Sequence, residues 1–229
     1  MNNNNIVIGI EGLVGAGKTS ICRELLDIIP NSIILHGGNL YRGIIFALMN
    51  SENNINIENL KENIKNIDIK QLMDKLKVDF KIEDRESVIY VDGKKIDEDN
   101  LQNEESSMAV SIAGGNADNS HLYAFACNLI DGFKKQFNVI VSGRDLMKIY
   151  PNLDYHFFIT ATLEERIKRK IKQYGKDANL EEVKQVILKR DDLQEKAGYY
   201  KKYEKTIEVD VTNCTSARAS AEKVYAYIS

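Results

Sequence analysis

The chain has 229 residues and a net charge of −3, with 31 Lys and Arg against 34 Asp and Glu, enough for one α/β domain with a full core and without the strongly basic balance of a nucleic-acid binder. Cys22, Cys127 and Cys214 are odd in number, far apart and without metal-ligand spacing, which favours free thiols in a reducing compartment. No run approaches the ~18 apolar residues of a membrane span, and Met1-Asn-Asn-Asn-Asn5 resembles no signal peptide, so a cytoplasmic protein with no membrane or nucleic-acid partner is expected.

The first element is the apolar run 6–10, a core strand leading into Gly12-Leu-Val-Gly-Ala-Gly-Lys-Thr19. All four fixed positions of the phosphate loop G-x-x-x-x-G-K-[ST] are filled. Its glycines let successive backbone N–H groups turn toward phosphates, Lys18 can reach the β and γ oxygens, and the Thr19 hydroxyl can reach a Mg²⁺ ion. A helix over 20–29 adds its positive end to the same anion. Gly12, Gly15, Ala16, Gly17, Lys18, Thr19 and Ser20 are therefore the candidate nucleotide-binding residues, Thr19 the candidate metal ligand and Lys18 a candidate catalytic cation.

Further strands are expected at 32–35, 138–142, 155–160 and 206–211, mostly separated by segments long enough for crossover helices. The pattern predicts a doubly wound α/β fold with a parallel sheet of about five strands. It is interrupted between Arg42 and Ser106. There Leu60, Ile64, Ile67 and Ile69, Leu72, Leu76 follow helical spacing, and strands at 78–82 and 87–91 precede an Asp92-Gly93 hairpin turn, together forming an inserted lobe. Arg144 and Asp145 follow the strand 138–142, at the sheet edge where open α/β folds bind ligands. In a helix starting near Leu163, Arg166, Arg169 and Lys170 share one face. That face suits a lid over phosphates, or a solvated surface paired with Glu164 and Glu165. A last helix over 216–228 puts Ala217, Ala221, Val224 and Ile228 in the core.

Outside the loop, several segments resemble bacterial cytidylate (CMP) kinases. Gly38-Asn-Leu-Tyr-Arg-Gly43 resembles that family's glycine and Tyr-Arg motif, while Tyr90-Val-Asp-Gly-Lys94 with Asn103-Glu-Glu-Ser-Ser107 is similar to its inserted-lobe hairpin and the helix after it. Ser142-Gly-Arg-Asp145 resembles Asp-Gly-Arg-Asp. Phe158-Ile-Thr-Ala-Thr162 running into Glu164-Glu-Arg166, and Lys189-Arg-Asp-Asp192, resemble its strand and lid. The resemblance is collinear from about Ile6 to Asp192.

The resemblance implies one P-loop kinase domain with an acceptor-binding lobe at about 44–106 and a helical lid at about 164–180. It implies ATP and Mg²⁺ as cofactors, and ATP-dependent transfer to a nucleoside monophosphate, CMP or dCMP first, by a protein expected to act as a monomer. Arg144, Arg166 and Arg169 join Lys18 as catalytic cations, and Gly38, Tyr41, Arg42, Ser107, Arg144, Asp145 and Arg190 become candidate acceptor-binding residues. The chain also departs from the family. His36-Gly37-Gly38 stands where the family has Asp-Ser/Thr-Gly, no arginine occurs between Arg85 and Arg144, where His121 falls near the missing one, and Gln194 replaces a ribose-binding Asp. A kinase of this scaffold with another small-molecule acceptor, or a nucleotide-binding protein without turnover, are the alternatives.

Overall fold

The computed structural model describes residues 5–49, 56, 58–97, 101, 104–114, 119–175 and 178–228. Five parallel strands form its centre: β1 (Val7–Gly12), β2 (Ser32–His36), β6 (Asn138–Ser142), β7 (Tyr155–Thr160) and β8 (Thr206–Asp210), in the spatial order β2-β6-β1-β7-β8. Registers such as Ile8↔Ile140, Ile34↔Ile140, Ile10↔Phe157 and Phe157↔Ile207 tie them together. Successive residues of a strand face opposite sides, so Val7, Ile33 and Val139 enter one core while Ile8, Ile34 and Ile140 enter the other. Strands covered on both faces read as unbroken apolar runs, which is why these segments are legible without alternation.

The helices follow from where those faces need cover. α1 (Lys18–Ile28) and α10 (Ala217–Tyr225) pack together over one face, through Ile21, Leu25, Ala221 and Val224. α2 (Gly37–Met49), α5 (Glu104–Gly114) and α6 (Ser120–Lys134) cover the other with Ile44, Leu48, Ala109, Leu122 and Ile130. Each such buried Leu or Ile contributes about 1.5–3 kcal/mol. The short α3 (Leu60–Asn63), a 3₁₀ turn at Ile64–Asn66 and α4 (Ile69–Leu76) form the expected helical stretch, divided where the Asp68 carboxylate caps α4 by accepting from the Gln71 amide at 3.0 Å.

The hairpin β3 (Asp79–Glu83), β4 (Glu86–Val91) with the short β5 (Lys94–Lys95) extends the same sheet beyond β2 through a parallel pair, Ile34↔Glu86. Arg85 makes the junction firm: its guanidinium donates to Ser32 O, Ser32 Oγ and Leu26 O, and its carbonyl accepts from the Ile34 amide. A single turn, α7 (Leu146–Ile149), follows β6. After β7 come α8 (Leu163–Tyr174) and α9 (Leu180–Lys196), whose Ile167, Val183 and Ile187 close over Val14 of the loop. Strand ends β1, β2 and β6 thus deliver the phosphate loop, the start of α2 and Arg144 to one edge.

Candidate active site

The loop is fixed by close backbone contact with β7. The Leu13 amide donates to Ile159 O at 3.0 Å. Gly12 has φ +144° and a Cβ there would lie 2.1 Å from that oxygen, so only glycine fits. α1 begins at Lys18, two residues earlier than the sequence pattern predicts, which puts Lys18 and Thr19 in its first turn. Lys18 Nζ donates to Gly12 O and Leu13 O, both at 2.8 Å. Burial, then the charges of Arg144 and Arg190, push this ammonium down to about 7, while Asp191 pulls the other way.

From Lys18 a cavity of about 150 Å³ runs along the ends of β2 and β6. Lys18, Thr19, His36, Arg42 and Arg144 supply its charged and polar part, Gly38 and Tyr41 line it as well, and Leu35, Val110, Leu122, Ala126, Ile130 and Val141 make its apolar wall. No Asp or Glu is among its described lining residues. Arg42 Nη1 donates to Asn39 Oδ1 at 3.2 Å. Arg144 is pushed down to about 10 by burial and by Arg190, so the cations crowd one another. The Tyr41 hydroxyl is buried without a hydrogen bond among the described residues, and burial pushes its phenol up.

The remaining acceptor candidates lie behind that lining. Asp145 is buried and accepts from Tyr123 Oη at 2.7 Å and Lys148 Nζ at 2.9 Å, so it braces a cavity residue rather than capping α7, whose start it occupies without a side-chain cap bond. Ser107 is buried in α5, its carbonyl accepting from Ser111 Oγ. Arg190 is buried in α9, close enough to depress both Lys18 and Arg144. His121 is exposed on α6 and is not a lining residue.

Arg166 and Arg169 both reach the loop backbone. Arg166, 7% exposed, donates to Val14 O at 3.1 Å and pairs with Asp191. Arg169 donates to Ala16 O at 2.9 Å and Val211 O at 2.8 Å, and its Nε to Glu165 at 3.0 Å. Lys170, the third member of that face, turns to Gln173 at 2.9 Å.

A phosphate loop opens onto a multiply cationic cavity with no carboxylate among its described lining residues, and comparison with known proteins gives the family in which this arrangement occurs. The family model for cytidylate kinase matches residues 8–229. The chain belongs to the cytidylate kinase family. Among its relatives, a cytidylate kinase of Clostridioides difficile (strain 630) is 30% identical over 226 residues, 96% of this chain and 97% of that one. A cytidylate kinase of Fusobacterium nucleatum subsp. nucleatum is 30% identical over 220 residues, 92% of each chain. Phosphoryl transfer to a nucleoside monophosphate is the reaction class of this family.

Four residues of this cytidylate kinase family member escape sequence reasoning. Asp191 accepts from the Val14 amide at 3.1 Å while holding Arg166 and the Tyr200 hydroxyl. Glu11, buried in β1, accepts from the Leu146 amide and lies 3.2 Å from His156 Nε2, which pins the start of α7 just past Arg144. Tyr123 carries the Asp145 contact. Glu86 pairs with His36 at 2.7 Å. Only Asp191 lies within one of the sequence motifs; the others carry no signal in spacing.

Proposed function

We propose that the protein transfers the γ-phosphoryl group of ATP to the 5′-phosphate of a cytidine nucleotide, CMP or dCMP. The observation that carries this reading is the cavity that joins Lys18 and Thr19 of the phosphate loop to Arg42 and Arg144. Two anionic ligands meeting there would satisfy cations that now crowd each other and hold the reacting oxygens together. On this reading Gly12 to Ser20 cradle the ATP phosphates. Gly38, Tyr41, Arg42, Ser107, Arg144, Asp145 and Arg190 form or brace the acceptor side. The segment 44–106 serves as acceptor lobe and 164–180 as lid.

The residues fit the expected Mg²⁺. Thr19 lines the cavity, and no group of three or more His, Cys, Asp or Glu able to hold a metal occurs among the described residues. A hard cation would then take the Thr19 hydroxyl together with phosphate oxygens and water. When bound it supplies charge neutralisation at the phosphates.

Transfer between phosphates needs no strong base; it needs positioning and compensation of charge on the moving group. Lys18 exchanges its two carbonyl acceptors for phosphate oxygens. Arg144 orients the acceptor phosphate, and Arg190 behind it adds positive charge to that side of the cavity. Arg166 and Arg169, already bonded to Val14 and Ala16, hold the loop in its cradling shape. The apolar wall excludes water that would otherwise hydrolyse the phosphoryl group.

The test is a phosphorus NMR assay of ATP with CMP, dCMP, the other nucleoside monophosphates, cytidine and simple sugars. ADP with CDP or dCDP as the preferred products is the expected outcome. Transfer only to a phosphate-free acceptor would establish the alternative acceptor reading, and tight ATP binding without any transfer would establish the binding-protein reading.

A further inference from the structure

We propose that His36 is itself a ligand of the acceptor phosphate, joining Lys18, Arg42 and Arg144 in the cavity. The inference rests on the reading that a phosphorylated acceptor occupies this cavity. His36 closes β2, in register with Ser142 two residues before Arg144, and lines the cavity with Lys18, Arg42 and Arg144. Its imidazole is held from outside. Nε2 lies 2.7 Å from Glu86 Oε2, and Glu86 is in turn gripped by Arg23 through Nε at 2.8 Å and Nη2 at 3.1 Å. The backbone amide of His36 donates to Ser87 Oγ at 2.8 Å.

That anchoring fixes the proton. A carboxylate only accepts, so the hydrogen of this contact sits on Nε2. Nδ1 has no hydrogen bond among the described residues. With Nε2 protonated, Nδ1 can donate to a phosphate oxygen only when the ring carries both protons. The charged groups of the pair and of the cavity it faces are Arg23 on α1 and Glu86 on β4, then Lys18 on α1, Arg42 on α2 and Arg144 after β6; the Cys22 thiol of α1, pushed up to about 12 by burial, stays neutral. Anion binding at Nδ1 is therefore linked to proton uptake by the ring.

A purely architectural role for the pair, docking the hairpin to β2, would be redundant. Arg85 already makes that junction with bonds to Ser32 and Leu26, supported by the Ile34 amide. An architectural pair would also leave proton uptake unchanged when the ring is replaced.

The experiment is calorimetric titration of the full chain with CMP, and separately with inorganic phosphate, at about pH 6 and about pH 8.5, bracketing the ordinary range of a histidine. Buffers of different ionisation enthalpy give the proton count. The native protein is expected to take up a proton and to bind about tenfold more tightly at the lower pH, as expected for a charge-assisted hydrogen bond. His36→Gln should lose that increment, and so should Glu86→Gln, which keeps the ring but frees it. Lys18 titrates in the same range but is present in every protein, so it cancels in the comparison. Unchanged uptake and affinity in His36→Gln would overturn the proposal, as would native behaviour in Glu86→Gln if His36→Gln does not fold. Binding of phosphate with His36-dependent uptake but no binding of CMP would support the proposal and overturn the nucleotide reading instead.

Discussion

The Asp191 carboxylate accepts a hydrogen bond from the Val14 amide at 3.1 Å, joining helix α9 to the phosphate loop across 177 residues of sequence. The same carboxylate pairs with Arg166, which donates to Val14 O at 3.1 Å, so the Val14 backbone is held from both its amide and its carbonyl. Removing one partner of a buried ion pair leaves the other uncompensated, at a cost of about 3–5 kcal/mol. Asp191→Ala should therefore lower the midpoint of thermal unfolding and raise KM for ATP about tenfold or more. Tyr200→Phe, which removes only the hydroxyl on Asp191, should do a fraction of each. Thermal unfolding beside ATP-dependent initial rates decides it: a native KM in Asp191→Ala would separate this ring from the site.

Lys18 should be required for turnover. Lys18→Ala is expected to lower kcat by at least ~10²–10³, the usual effect of deleting a charge-stabilising donor, with circular dichroism showing an unchanged fold. The acidity of this lysine adds a pH signature. Its ammonium sits at about 7 in the free protein against 10.5 in an ordinary lysine, and only the protonated form grips phosphate, so kcat/KM for ATP should fall as pH rises through about 7. For stability the sign is opposite. Between about 7 and 10.5 the unfolded chain binds more protons than the native one, so this residue's contribution makes the fold more stable as pH rises. A denaturant series across that window should show the rise in the native protein and its loss in Lys18→Met.

Part of this is legible in the chain and part is not, for identifiable reasons. The strands Asn138–Ser142 and Tyr155–Thr160 match their expected bounds because doubly buried parallel strands are written as continuous apolar runs. The Asp92-Gly93 turn has φ of +51° and +75°, as two-residue hairpins demand. Helix α2 has no such signal: Gly37 and Gly38 are poor helix formers, yet Gly37 lies against Ser142 O and the helix buries Ile44, Ile45 and Leu48. Tertiary burial overrides a weak local propensity. Glu11, Glu86 and Asp191 are invisible as site residues because each acts on a partner at least 50 positions away. No local period records such a pairing.

Two glycine substitutions should move stability in opposite directions. Gly12→Ala forces a Cβ to 2.1 Å from Ile159 O at φ +144°; the loop must leave β7, and loss of ATP binding with marked destabilisation is expected. Gly132 lies exposed in α6, and a Cβ added there would meet nothing within 4 Å. Gly132→Ala should stabilise by about 0.5–1 kcal/mol, since it lowers the entropy of the unfolded chain and suits a helix. Equal effects of the two in chemical denaturation would contradict the loop geometry.

Gln194 offers the sharpest test of how the acceptor sugar is recognised. Its side chain is 1% exposed on α9, and Nε2 has no hydrogen bond among the described residues. A buried unsatisfied amide costs about 1–3 kcal/mol, and a group kept at that cost calls for a ligand acceptor to justify it. Gln194→Leu, close in volume and without the amide, should therefore raise the unfolding midpoint while raising KM for CMP more than for dCMP. Gln194→Asp should act the other way on selectivity, because bonds to an ionised group are roughly twice as strong as neutral ones; it should favour CMP over dCMP more than the native chain does, and lower the midpoint by burying a charge. Steady-state kinetics with both nucleotides, read beside thermal unfolding of the three proteins, decides the matter. A midpoint that rises in Gln194→Leu with the ratio of CMP to dCMP unchanged in both variants would make Gln194 a packing residue with no part in sugar recognition.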